Sequence, residues 1–294
     1  MSLVLQKIIS CTFIAVSISI IILWIYGSQL ALDHQLFILL LLTILTGIPH
    51  GALDAHIAAH YNLYSTKFGL ILFLTGYVAI ALTSMAAWWI YPLSTLTIFL
   101  LISIWHFSGD WSPSIGIFKG LLISGMAVCL PALNFTEEVR QIFMLLTQSV
   151  IHLYQLQELV YISKGLLICC SFLIVQLFIS KHYTQSIEVL CLMGIALTLP
   201  PILYFAIYFC ILHSPKHLLK NISLLNLQKF KIIILSIWPA TAAVIVIGLI
   251  LVLINTTTPP SVLLTQLIFI GLFGLTIPHM LLIEYTRSLK TPST

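Results

Sequence analysis

Long apolar stretches separated by short polar segments follow one another along almost the whole chain. About 20 apolar residues cross a bilayer as a helix, because lipid offers no partner to an unpaired backbone group. The ten stretches are 8–30, 35–59, 68–92, 93–111, 115–132, 139–154, 159–180, 187–212, 232–254 and 262–285. The chain is 60% hydrophobic and 7% charged, which leaves too little polar surface for a water-soluble domain. We predict an all-α, polytopic transmembrane helix bundle of about 10 helices (range about 8–10), forming a single integral membrane domain over residues 1–294.

The distribution of cations predicts which helix ends face the cytoplasm. The fourth stretch is marginal and the sixth, 139–154, is short and weakly apolar; counting or omitting the sixth reverses every later loop. When it is counted, only Arg140 and Lys181 of the 12 Lys and Arg residues lie outside, in agreement with the cytoplasmic excess of cations in membrane proteins. We therefore expect a multi-pass protein of the cell (inner) membrane with cytoplasmic termini and an uncleaved first helix. The net charge of +4 is scattered, so no nucleic-acid partner is expected.

Ten histidines against eight carboxylates is an unusual ratio in so apolar a chain, since an unpartnered polar ring is costly in lipid. In the predicted topology, four histidines lie near the cytoplasmic ends of the second, fourth, eighth and tenth helices, and a fifth follows shortly after. They are His50, His106, His213 and His279, with His217 as the fifth. Imidazoles delivered by several helices to one level of a bundle are typical of a metal site, and neutral nitrogen ligands suit iron, copper or zinc. We expect that site near the cytoplasmic ends of the helices.

Two motifs place an aspartate four residues after a candidate ligand. They read Gly47-Ile48-Pro49-His50-Gly51-Ala52-Leu53-Asp54 and Trp105-His106-Phe107-Ser108-Gly109-Asp110. Pro49 and the neighbouring glycines predict a broken or kinked helix beside His50, and broken helices inside membranes usually line a site. We interpret Asp54 and Asp110 as carboxylates that accept a hydrogen bond from a ligand ring or offset the charge of a metal dication.

A third motif, His213-Ser214-Pro215-Lys216-His217, holds two rings four residues apart. They share a face if the helix continues, because such residues are neighbours on a helix surface. Alternatively, Ser214 and Pro215 begin a new helix with His217 in its first turn. Either geometry keeps both rings within reach of one ion.

The remaining histidines and the cysteines are weaker candidates. His56 and His60 point roughly 80 to 120° away from His50 on an ideal helix. His34, His152 and His182 lie near predicted helix ends and are interpreted as interfacial residues. All six cysteines lie in apolar stretches without CxxC spacing, so we interpret them as packing residues.

Several aromatic residues adjoin the histidine motifs. The set comprises Trp105, Phe107, Trp111, Tyr204, Phe205 and Tyr208. A metal buried in an apolar bundle indicates an apolar substrate, and these rings could line a slot for a long conjugated molecule entering from the lipid. Aromatic residues in membrane helices are, however, more often packing residues than pocket residues.

The motifs at 49–54, 105–110 and 213–217, with Pro278-His279-Met280-Leu281-Leu282, occur together in one order. In that order they resemble the Brp/Blh family of bacterial membrane β-carotene 15,15′-dioxygenases. The resemblance implies an enzyme that uses Fe(2+) and O2 to convert one β-carotene into two molecules of all-trans-retinal, with a microbial rhodopsin as a functional partner. It implies His50, His106, His213 and His217 as catalytic iron ligands. His279 would be a fifth site residue or a group behind the ligands.

Three other classes of membrane protein also contain buried histidines. A di-iron desaturase or hydroxylase typically carries a His-x-x-His-His box, which this chain lacks. A haem-binding bundle would carry paired histidines on facing helices, and the motifs lack that spacing within each helix. A transporter or proton channel would more often show two matching halves, whereas the internal echo found here is the short Ile-Pro-His at 48–50 and 277–279.

Overall fold

Helices account for nearly all of the protein. A computed structural model describes residues 2–27, 29–227 and 230–289, and within them it contains helices and turns but no β-strand. In chain order the helices are α1 (Ser2–Tyr26), α2 (Leu32–Leu42), α3 (Asp54–His60), α4 (Lys67–Ile90), α5 (Pro92–Ser108), α6 (Ser112–Ile115), α7 (Ile117–Cys129), α8 (Pro131–Asn134), α9 (Thr136–Thr147), α10 (Gln157–Ile179), α11 (Tyr183–Thr198), α12 (Pro201–Ile207), α13 (Ser214–Leu224), α14 (Phe230–Ile254) and α15 (Pro260–Ser288). The predicted all-α class is confirmed.

Eight helical segments in the described ranges are long and apolar enough to cross a membrane. They are Val4–Tyr26, Leu32–His60, Lys67–Ile90, Ile117–Asn134, Leu153–Ile179, Pro201–Leu224, Lys231–Ile254 and Pro260–Ser288. Two shorter apolar helices, α5 and α11, accompany them. The polytopic character is therefore confirmed, while the number of crossings stays a prediction. Lys229 and Lys290, two cations assigned to the inner side, lie outside the described residues.

The predicted eighth crossing, 187–212, is wrong as a single helix. It is divided between α11, which ends at Thr198, and α12, which begins at Pro201. Leu199 between them is extended, with φ −107° and ψ 146°. Pro200 causes this break because the residue before a proline is driven out of the helical region. Pro201 then occupies the first turn of α12, where a missing N–H is tolerated.

The predicted sixth crossing, 139–154, is also wrong. That part of the chain contains α9, whose 12 residues are too short to span a hydrocarbon core of about 30 Å. Glu137 and Arg140 form an ion pair on its first turns. The helix ends at Gln148, which adopts a left-handed conformation with φ 52°.

Two of the helical segments that carry candidate ligands lie mostly inside the bundle. In the apolar stretches of Pro201–Leu224 and Pro260–Ser288, 61% and 56% of the residues are buried, against 6% in both Lys67–Ile90 and Lys231–Ile254. Helix α12 packs against α2, α5 against α7, α1 against α11, and α15 against α4 and α9. This packing places the histidine-bearing turns at the centre of the bundle rather than against lipid.

Candidate metal centre

Two π-helical turns lead into candidate ligands. Helix α2 continues through a π turn, Thr43–Gly47, and a short 3-10 turn that ends at His50. Helix α12 continues through a second π turn that ends at His213. The predicted break beside His50 is confirmed, and single π turns inside α-helices are frequent at functional sites.

The two π turns are linked to each other. The Thr46 hydroxyl lies 2.8 Å from the carbonyl oxygen of Cys210, to which it donates, and 3.0 Å from that of Leu42. A Cβ added at Gly47 would lie 3.0 Å from the Phe209 ring, so a side chain there would push the turns apart. The backbone carbonyl of Gly47 also accepts from Nδ1 of His50. That bond leaves Nε2 of His50 as the nitrogen free to bind a metal.

Five imidazole rings meet at the ends of these turns. The His50 ring centre lies 6.5 Å from that of His106, 5.7 Å from His213, 5.6 Å from His217 and 5.5 Å from His279. The His106 and His213 ring centres are 4.8 Å apart, and those of His217 and His279 are 5.0 Å apart. The four histidines expected as ligands are therefore brought together, and His279 lies with them rather than behind them.

One pair of ring nitrogens has the spacing of two ligands of a single metal ion, and three rings have nitrogens grouped more loosely. Nitrogens of His50, His106 and His279 all lie within 4.8 Å of one another, and Nε2 of His213 lies 3.2 Å from Nε2 of His106. Metal–imidazole bonds of roughly 2.0–2.1 Å place neighbouring ligand nitrogens roughly 3 to 3.5 Å apart. Nε2 of His279 is buried and has no hydrogen-bond partner among the described residues. A buried ring nitrogen facing other rings without a partner fits a metal ligand.

Aspartates orient two of the rings from behind. Nδ1 of His213 donates to the Asp110 carboxylate at 3.0 and 3.1 Å, and Nδ1 of His279 donates to Asp54 at 2.9 Å to each oxygen. The expectation that these carboxylates accept from candidate ligand rings agrees with the geometry. Neither is hydrogen-bonded to the histidine four residues before it, because that ring points into the cluster while the carboxylate reaches a ring on another helix. The arrangement selects the Nδ1–H form and directs Nε2 inward.

Each aspartate also accepts from a tyrosine. The Tyr77 hydroxyl lies 2.8 Å from Asp54, and the Tyr208 hydroxyl lies 3.2 Å from Asp110. Sequence reasoning missed Tyr77, because nothing local in α4 distinguishes it from a packing aromatic. It also missed Asn221, whose side-chain amide lies 3.3 Å from Nδ1 of His217.

The comparison with known proteins decides the family. The family model for β-carotene 15,15′-dioxygenase matches residues 41–286, which include all five clustered histidines. The chain belongs to the β-carotene 15,15′-dioxygenase family. A β-carotene 15,15′-dioxygenase from an uncultured marine bacterium, 66A03, is 31% identical over 256 residues, or 84% of this chain and 92% of that protein. No solved structure matches. The predicted family is confirmed, and with it the prediction that the chain is an enzyme.

In this dioxygenase-family chain, a smaller and a larger cavity adjoin each other beside the cluster. His50 and His106 line the smaller one. Four residues line both cavities: Phe99, Ser103, Phe107 and Phe205. The larger cavity extends away from the histidines between α5, α7, α9, α12 and α15, and most of its lining is apolar.

Four of the six aromatic residues proposed to line a slot do line the larger cavity: Phe107, Tyr204, Phe205 and Tyr208. The other two do not. Trp105 is 45% exposed and points about 100° away from the neighbouring His106 on the helix, towards Glu284. Trp111 is fully buried against Glu188 and the Tyr208 ring.

The weaker candidates lie outside the cluster. His56 and His60 are exposed on α3, and the His60 ring contacts the neighbouring Tyr61 ring. His34, His152 and His182 lie at or beside the first residues of helical segments, as expected. All six cysteines are free thiols.

Proposed function

We propose that the chain cleaves the central 15,15′ double bond of β-carotene with O2, giving two molecules of all-trans-retinal. One observation carries the proposal: five imidazoles from distant parts of the chain converge beside a mostly apolar cavity. The membership of the family and the name of the bacterial relative support the reaction.

The cofactor in this proposal is Fe(2+). His50, His106, His213 and His217 are the proposed catalytic ligands, and His279 is the fifth site residue because its Nε2 faces the same space. A neutral, all-imidazole donor set is compatible with a divalent iron. Bound there, Fe(2+) would supply the electron-transfer chemistry that activates O2, which amino-acid side chains lack.

The protein's own residues position the rings and exclude water. Asp54 and Asp110 fix two imidazoles by their Nδ1–H groups, and the Gly47 carbonyl fixes a third. His213 is fully buried, and 3% of His279 is exposed. A dry, preorganised site prevents side reactions with water while the substrate is being oxidised.

The cavity would receive one half of the carotenoid. Phe107 and Phe205 line both cavities and therefore flank the path from the larger cavity to the histidines. A rigid polyene held between aromatic rings slides little, so the depth of the cavity would select which double bond lies beside the cluster. Selection of the central bond gives two identical aldehydes.

For the membrane, we propose ten crossings in a single domain, with cytoplasmic termini, in the inner membrane. The ten are the eight long apolar segments with α5 and α11. This assignment places Lys181 on the cytoplasmic side. Of the Lys and Arg residues, it places only Arg140 and Lys164 on the outer side, in agreement with the cytoplasmic excess of these cations. All five clustered histidines then lie in the cytoplasmic half of the bilayer. β-Carotene enters from lipid, and a microbial rhodopsin is the proposed acceptor of the retinal.

The proposal is tested by expressing the chain in β-carotene-producing bacteria. We expect the orange colour to fade while retinal appears on chromatography. Purified protein should contain one iron per chain. Two irons per chain, or persistent carotene with the protein present in the membrane, would contradict the proposed function.

A further inference from the structure

A buried carboxylate outside the histidine cluster joins two helices and the turn after α5 to α11. Glu188 is 1% exposed. It accepts from the Ser10 hydroxyl at 2.5 Å, from the Trp111 indole N–H at 3.3 Å and from the Lys216 ammonium at 2.7 Å. Ser10 lies on α1, Trp111 follows α5, and Lys216 lies on α13.

The buried ion pair in this network is a costly way to stabilise the packing of the helices. Removing a carboxylate from water is costly, and a buried ion pair is often no better for stability than apolar residues of the same volume. In some proteins such pairs select one arrangement of the elements that they join, because the alternatives leave a charge unpaired. The residues beside the ion pair therefore indicate which arrangement of helices it selects.

Both hydrogen-bond donors on the cluster side of Glu188 adjoin residues of the proposed metal centre. Lys216 precedes His217, and Trp111 follows Asp110. The Lys216 ammonium also lies 5.8 Å from the centre of the Trp111 ring. The Trp111 ring stacks on the Tyr208 ring at 6.1 Å with an angle of 7° between planes, and Tyr208 donates to Asp110.

We propose that Glu188 is a positioning residue, which holds α13 and the segment after α5 in the register that aims His213 and His217 at the cluster. It acts on His217 through Lys216, and on His213 through Trp111, Tyr208 and Asp110. The inference rests on the proposed metal function of these histidines.

The decisive variant removes both charges, with Glu188→Gln and Lys216→Met together. Glu188→Gln by itself leaves an ammonium buried without its partner and destabilises the fold, whereas the double variant leaves no unpaired charge. The matched control is Glu137→Gln with Arg140→Met, which removes an ion pair on α9, remote in sequence from every histidine motif.

The probe is Co²⁺, whose visible absorption reports the geometry of its ligands, bound to protein purified in detergent. Loss of a group behind the ligands costs about 10- to 100-fold in metal affinity or activity. We expect the double variant to unfold near the wild-type temperature, to bind Co²⁺ about tenfold more weakly with a changed spectrum, and to lose about tenfold in kcat with little change in KM. The control should match the wild type in all five of these measurements.

A double variant with the wild-type Co²⁺ spectrum and kcat overturns the positioning role while leaving the proposed function intact. A wild-type protein that neither binds the metal nor forms retinal overturns both. Should the double variant fail to fold, Trp111→Phe keeps the ion pair and most of the ring volume while removing the N–H. An unchanged Co²⁺ spectrum in that variant also overturns the inference.

Discussion

Two groups of the same three residue types each include one ring of the histidine cluster. The Asp54 group consists of Asp54, His279 and Tyr77, and the Asp110 group consists of Asp110, His213 and Tyr208. In each group a buried aspartate accepts from one imidazole and one tyrosine. The chain therefore reaches the same local chemistry twice.

The groups differ in how the chain assembles them. The Asp54 group draws on three separate helices, α3, α4 and α15, whereas His213 and Tyr208 of the other group share one π turn. The Asp110 group is also tied to Glu188 through Trp111. Nε2 of His213 already contacts His106, while Nε2 of His279 has no partner among the described residues. The two groups therefore share one pattern of hydrogen bonds but differ in the contacts that surround it.

The largest effect is expected from removing the imidazoles. His213→Ala should abolish retinal formation in carotene-producing cells, because it deletes a proposed ligand, and His279→Ala should do the same if Nε2 of that ring also binds the ion. Retinal by chromatography and membrane-inserted protein by immunoblot are the measurements. The control is His56→Ala, which removes an exposed ring on α3. Full activity of His279→Ala would place that ring outside the ligand set and break the symmetry of the two groups.

The next largest effect tests the carboxylates. Asp54→Asn and Asp110→Asn keep the side-chain shape but lose the charge that selects the Nδ1–H form, so each should lower iron affinity or activity by about 10- to 100-fold. We expect the larger loss for Asp110, because it also fixes Tyr208 beside the buried Glu188 network. Iron per chain and initial rates measure both. Equal losses would mean that the additional support of the Asp110 group has no consequence for the metal.

Gly47 tests the contact between the two π turns, on which His50 and His213 both depend. In Gly47→Ala the new methyl would lie 3.0 Å from the Phe209 ring and 3.1 Å from the Thr43 methyl group. Such overpacking costs about 1–3 kcal/mol in the free energy of unfolding. Gly76→Ala on α4 is the matched control, since no atom lies within 4 Å of the added Cβ, and it should be neutral or stabilising by about 0.5–1 kcal/mol. Thermal unfolding in detergent separates them, and equal melting temperatures would contradict the close approach.

The smallest effect belongs to the tyrosines. Tyr77→Phe and Tyr208→Phe each remove one hydrogen bond to an aspartate while keeping the ring, worth about 0.5–1.5 kcal/mol, or about 2- to 12-fold in rate. Because Tyr208 also lines the larger cavity, its variant should raise KM for the carotenoid, whereas the Tyr77 variant should lower kcat with KM unchanged. A raised KM in Tyr77→Phe would contradict the separate roles.

Local patterns in the chain predicted much of this arrangement. Apolar length determines that a segment is a membrane helix, and Pro49 with its glycines determines a break beside His50, because both effects act within a few residues. The same local rule was available at Pro200 and Pro201, where the break between α11 and α12 was missed. The length of the apolar stretch predicts a single helix there, whereas the two prolines divide it.

The class of the fold, the family and the histidines that meet could be predicted from the chain alone, since these depend on composition, local breaks and motifs that occur in order. Which aspartate holds which ring depends on tertiary packing. His279 and Asp54 are 225 residues apart and are joined by the packing of α15 near α3 and α4. Tertiary packing also brings Tyr77 to Asp54, and Glu188 to Trp111 and Lys216. Contacts between distant helices depend on how all the apolar faces pack together, and no short stretch of residues encodes that.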